Sequence, residues 1–135
     1  MNVDINQMPC GFLSLSTDGI IQSINDKLLD WIIAERSQTE GRHVDAILTD
    51  SSKLFYQVYI YPMMKMHGKV EEMYFSLKSG DGSEVPVLFN GTCCERHGVM
   101  VFDCILIRTV NRHKLEHELL LAKKAAQQAK QSIVE

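Results

Sequence analysis

The chain has 135 residues, 45% hydrophobic and 23% charged, which is the balance of one domain with a substantial core. Seventeen acidic against fourteen basic residues leave a formal charge of −3, which excludes the basic footprint of a protein that grips nucleic acid phosphates. No stretch reaches the roughly 18 apolar residues of a membrane span and the start MNVDINQMPC lacks signal-peptide order, so a cytoplasmic location is expected.

Cys10 to Ser16 is a short apolar run, Thr17-Asp18-Gly19 a turn and Ile20 to Ile24 a second run, which together predict a β-hairpin. Asn25 then stands at a helix N-cap. Leu28, Leu29, Ile32 and Ile33 follow at helical spacing around Trp31, and the polar stretch Glu35 to Gly41 ends that helix. A further helical piece covers His43 to Leu48. Asp50, Ser51 or Ser52 caps a longer helix through Leu54, Phe55, Val58 and Tyr59, which Pro62 bends or breaks before Met63, Met64 and Met66.

Beyond Gly68 the pattern turns to strands. Val70 to Lys78 and Glu84 to Cys94 flank the hairpin turn Ser79-Gly80-Asp81-Gly82, and Val99 to Ile107 follows the turn Arg96-His97-Gly98. A polar helix begins near Asn111. Two strands, several short helices and three antiparallel strands exclude a parallel βαβ sheet. They predict an α+β domain with helices on one face of a five-stranded antiparallel sheet. Val85 to Phe89 and Val99 to Phe102 are apolar on both faces, so a second cover is needed: the residues before Pro9, the last helix, or another subunit.

The four cysteines, Cys10, Cys93, Cys94 and Cys104, show no Cys-x-x-Cys spacing, and reduced thiols are expected. Cys93, Cys94 and His97 read as strand and turn residues rather than as a metal cluster, since adjacent strand residues point to opposite faces. From Leu115 the residues Leu115, Leu119, Ala122, Ala126, Ala129 and Ile133 repeat at steps of four and three, a heptad seam that predicts pairing with a second copy. The alternative is a helix folded back on its own sheet. His113 and His117 are read as solvated surface. The end at Ser132-Ile133-Val134-Glu135 has no helix stop signal, and a longer protein is expected.

Pro9-Cys10-Gly11-Phe12, Asp18-Gly19-Ile20-Ile21 before Asn25, Gly41-Arg42, Gly80-Asp81-Gly82, Pro86-Val87-Leu88-Phe89-Asn90 and the helix from Leu115 to Lys124 occur in the order and spacing of a PAS domain. The sequence resembles this sensor family from Pro9 to Val110. The resemblance implies a flank at 1–8, the domain at 9–110, a signalling helix at 111–135 and a bacterial multidomain protein. Its output domain would be a histidine kinase, diguanylate cyclase or phosphatase in the same chain. It also implies an internal pocket for a small ligand or cofactor, whose identity stays open, between the long helix and the last three strands. Tyr56, Tyr59, Asn90 and Asp103 are its polar candidates, and Met63, Phe75, Leu88 and Phe102 its apolar ones. The alternative is a ligand-free dimerisation module with a filled core. Blue-light members need a flavin-reactive cysteine just after the position of Gly41, and this chain has none between Cys10 and Cys93. Haem-binding members use a histidine on the long helix, where this chain has Tyr56 and Tyr59, with His67 only at its end. Arg108-Thr109-Val110 stands where the family often has Asp-Ile-Thr, so a base replaces the acid at the joint with the signalling helix. No catalytic order of Ser, His and Asp, paired acids, phosphate loop or metal motif is present, and no enzymatic role is expected.

Overall fold

The structure is a computed structural model that describes residues 4–109 and 119–129. Strands β1 (Gly11–Ser16) and β2 (Ile21–Ile24) form the first hairpin. Its turn closes where Gly19 N donates to Ser16 O at 2.9 Å and Ile20 N to Ser16 Oγ at 3.1 Å. Helix α1 (Asp26–Ile32) follows at once, its first turn capped by Asn25 Oδ1, which accepts from Leu28 N at 3.2 Å. One turn of helix, α2 (Arg36–Thr39), lies within the polar stretch expected to end α1, and a 3₁₀ turn covers Val44–Ile47.

A continuous helical run then crosses the sheet as α3 (Asp50–Phe55), a π turn (Tyr56–Ile60) and α4 (Tyr61–His67). Its cap is Thr49, whose Oγ1 accepts from Ser52 N, rather than Asp50, Ser51 or Ser52. Pro62 does not break it. Proline lacks an N–H and its ring crowds the carbonyl four residues back; the turn just before it is widened, with Tyr61 N donating to Tyr56 O. Gly68, at φ 74°, ends the run.

Strands β3 (Lys69–Lys78), β4 (Glu84–Arg96) and β5 (Val99–Arg108) complete a five-stranded antiparallel sheet in the order β2-β1-β5-β4-β3. The expected α+β class, strand count and hairpins are all present. One irregularity sits in β3: Val70 pairs with Gly91 and Met73 with Phe89, so Glu71 and Glu72 together face Asn90 in a bulge, with Glu72 at φ 56°. The extra residue keeps Val70 and Met73 on one face although they are three apart.

The helices cover one face of the sheet, and the core lies between them. Leu13, Leu15, Val85, Val87, Phe89, Phe102, Cys104 and Leu106 reach in from the strands to meet Leu28, Ile32, Ile47, Ile60 and Met64. A Cβ at Gly91 would lie 3.2 Å from Met64 Cε and 3.2 Å from the Phe89 ring, so the missing side chain is what lets the long helix approach β4. The β3–β4 turn is seated on α1 by Gly80, whose N donates to Ile32 O at 2.8 Å, and a Cβ there would come within 2.6 Å of Ile33 O. Across the opposite face Tyr74, Ile105, Ile107 and Val99 remain exposed.

Residues 119–129 form a helix, α5, whose side chains are exposed, Leu119, Leu120 and Leu121 included. Of the predicted seam, Leu119, Ala122, Ala126 and Ala129 fall on it; Leu115 and Ile133, with His113, His117 and Val110, lie outside the described residues. No helix among the described residues is long and apolar enough to cross a membrane.

Candidate functional site

Strand pairing decides which predicted pocket residues share a face. Phe75 pairs with Val87, and Cys93 with Phe102, all on the helix-covered side; Phe75 packs against the core at 5.2 Å from the Phe89 ring, and Phe102 is fully buried. Leu88 pairs with Tyr74 and Ile107, and Asn90 with Ile105, so both lie on the opposite face. Their expected placement beside Phe75 and Phe102 is therefore corrected by one residue of register. Because β4 is apolar on both faces between Val85 and Phe89, its parity is set only by its partners. Asn90 has a local task instead: its Oδ1 accepts from Glu72 N at 3.0 Å and satisfies the backbone group freed by the bulge.

The helical run separates the others. Tyr56 is 5% exposed and faces the core, Met63 packs at the margin of the core, and Tyr59 stacks on Phe55 at 5.4 Å with 41% of its surface exposed. Tyr59 is thus outside the interior expected for it. Asp103 also lies on the outer face, where it accepts from Ser14 Oγ at 2.9 Å, from Cys94 Sγ at 3.2 Å and from both terminal nitrogens of Arg96. Burial alone would raise its pKa, but the hydrogen bonds from Arg96, Ser14 and Cys94 and the Arg96 charge outweigh it and hold the carboxyl below its ordinary range. Burial and the same carboxylate push the Cys94 thiol up, which keeps it protonated and a hydrogen-bond donor.

Tyr56 places a polar group in the core. Its Oη is buried with no hydrogen-bond partner among the described residues, and the same holds for Asp45 Oδ1. His43 meets the Tyr56 ring edge-on at 6.3 Å between centroids, and Tyr61 lies at 6.3 Å on another side. Burial, with Cys104, Tyr61 and Asp45 nearby, pushes the phenol well above its ordinary pKa, so it is a neutral donor and acceptor in the core. Cys104, fully buried, is likewise held as a thiol. Toward the surface, Gln57 Nε2 donates to Asp45 Oδ2 at 3.4 Å. The Tyr56 hydroxyl thus leaves one donor and one acceptor without a protein partner in the core. Sequence reasoning found Tyr56 but not Asp45, Tyr61 or Cys104, because only the fold brings them together.

A separate open groove of about 440 Å³ runs between the end of α1, α2 and the β3–β4 turn, lined by Ile33, Glu35, Arg42, Lys78 and their neighbours; none of the eight predicted pocket residues lines it. Among the described residues no three His, Cys, Asp or Glu side chains are grouped so as to hold a metal ion.

No protein-family model matches the chain. It is 42% identical over 128 residues to the phosphoserine phosphatase RsbP of Bacillus subtilis (strain 168), covering 95% of this chain and 32% of that protein, so it spans about a third of the relative's length. Among solved structures, a PAS domain from Colwellia psychrerythraea superposes with a TM-score of 0.71 at 11% identity, over 80% of this chain and 92% of that one. The PAS domain of a LuxR-family transcriptional regulator from Burkholderia thailandensis, solved in complex with ethanol, does so at 0.62 and 19% identity, over 79% and 98%.

Proposed function

We propose, on the premise that the chain has the PAS fold of a bacterial sensor domain, that it is the input module of a longer signalling protein and governs a phosphatase output. The observation that carries this reading is the extended similarity to RsbP, of which this chain accounts for a third. The module itself is non-catalytic, acts in the cytoplasm, and passes its signal through a helix that pairs with a second copy. Exposed leucines on α5 and the exposed outer sheet face support a dimer.

The test is an exchange: the matching third of RsbP is replaced by this chain and phosphoserine phosphatase activity is measured. Leu119→Glu with Ala126→Glu puts like charges into the seam and is expected to shift the dimer toward monomer in sedimentation. Activity should change by at least about five-fold, the low end of an ordinary coupling free energy. Unchanged activity with the charged helix, and with the chain deleted, defeats the regulatory reading. A dimer that ignores the charges moves the interface to the sheet.

The input is a small neutral molecule held at Tyr56; a PAS domain of the same fold, that of the Burkholderia regulator, was solved in complex with ethanol. In ligand-free protein, Tyr56→Phe is expected to raise stability by about 1 kcal/mol, since it removes a buried hydroxyl that has no partner. Urea unfolding measures this. A loss of stability instead means that a bound molecule or water already satisfies the hydroxyl. The close approach of Met64 and Phe89 at Gly91 favours the second reading, a filled core that only dimerises its output. Native mass spectrometry separates the two, through the presence or absence of a co-purifying small molecule.

A further inference from the structure

Met63 of the long helix and Met73 of β3 pack against the margin of the core. Met63 and His67 stand four apart on α4, hence on the same side of the helix. The bulge at Glu71 and Glu72 brings Met73 to the same face of the sheet as Val70. As a result Met63, His67 and Met73 line one recess of about 370 Å³, with Lys69, Val70 and Glu71. His67 is exposed, and no hydrogen bond or ion pair engages its imidazole among the described residues. Glu71 is paired with Lys69 at 3.7 Å.

The donor chemistry is selective. Two thioethers and an imidazole are soft to borderline ligands, which suit copper(I), whereas carboxylates, carbonyls and water suit magnesium, calcium and manganese. A zinc site is built from Cys, His, Asp and Glu, and three of these are not grouped anywhere among the described residues. We propose that Met63, His67 and Met73 bind a soft monovalent cation, copper(I), for which silver(I) is the redox-inert stand-in. The cation joins the end of α4 to β3 just past its bulge without any change in oxidation state. This inference is independent of the interior ligand and of the phosphatase output.

The half-buried thiols Cys10, Cys93 and Cys94 also take silver, so the titration uses a Cys10→Ser, Cys93→Ser, Cys94→Ser background. Silver(I) is added while the methionine methyl and histidine ring signals are followed by NMR. The expected result is one step in which Met63, Met73 and His67 signals move together. Met63→Leu, Met73→Leu and His67→Gln are each expected to weaken binding at least ten-fold, and the leucine variants, close in size to methionine, should melt with the background protein. If the triple-serine background does not fold, the same signals are read in the parent after its accessible thiols are filled. Methyl signals that stay still, or leucine variants that bind like the background, overturn the proposal.

Discussion

Replacing Asn25 with alanine is expected to destabilise the domain by about 4 kcal/mol, because a fully buried side chain that makes four hydrogen bonds is removed. Its Oδ1 accepts from Phe12 N at 2.9 Å and from Leu28 N at 3.2 Å, while its Nδ2 donates to Ile5 O at 2.9 Å and Cys10 O at 2.8 Å. One amide thus ties the N-terminal flank, the start of β1 and the first turn of α1 into a single knot. Asn25→Asp separates capping from the rest: it keeps both accepted bonds but turns a carboxylate oxygen toward the two carbonyls. It should destabilise nearly as much as alanine at pH 7. Urea unfolding of both variants checks this, and an aspartate variant as stable as the parent would show that the cap alone matters.

The second large effect is expected at Asp103. Its carboxyl has a lower pKa folded than unfolded, so within the acid range the unfolded chain binds more protons. The stabilisation is fully present above the unfolded value of about 3.9 and is lost as pH falls through the folded one. Asp103→Asn should therefore cost about 2 kcal/mol at pH 7, with the half-exposed Arg96 moderated by solvent. The gap between variant and parent should narrow as pH falls below that unfolded value. Unfolding midpoints across that range provide the check, and a gap that is independent of pH would assign the loss to packing rather than charge.

Much of the fold was legible because its punctuation is local. Thr17-Asp18-Gly19, Asn25, Gly80-Asp81-Gly82 and His97-Gly98 mark turns or caps by their own backbone chemistry, and each stands where the structure turns. What stayed hidden depends on partners. Four adjacent cap-forming residues, Thr49 to Ser52, left the start of the long helix open, and α2 escaped because it buries Thr39 alone, with no apolar period. Nothing in Glu71-Glu72 announces a bulge, and the two apolar faces of β4 hid its register. Tyr56, Phe75 and Phe102 lie on the core side, whereas Leu88 and Asn90 lie on the opposite face.

The π turn explains a further oddity of the long helix. Its most buried residues are Ser52, Tyr56, Ile60 and Met64, spaced by four each time. On an unbroken α-helix three such steps would carry the last residue roughly 120° around the axis from the first, out of any single contact stripe. One extra residue in a turn winds the chain back by roughly 100°, which nearly cancels the drift. A helical wheel drawn at constant pitch therefore assigns wrong faces beyond Ile60. Without Pro62 to favour the widened turn, an ordinary helix would swing Met63, Met64 and His67 away from the sides they now occupy, and core and recess would lose their alignment together.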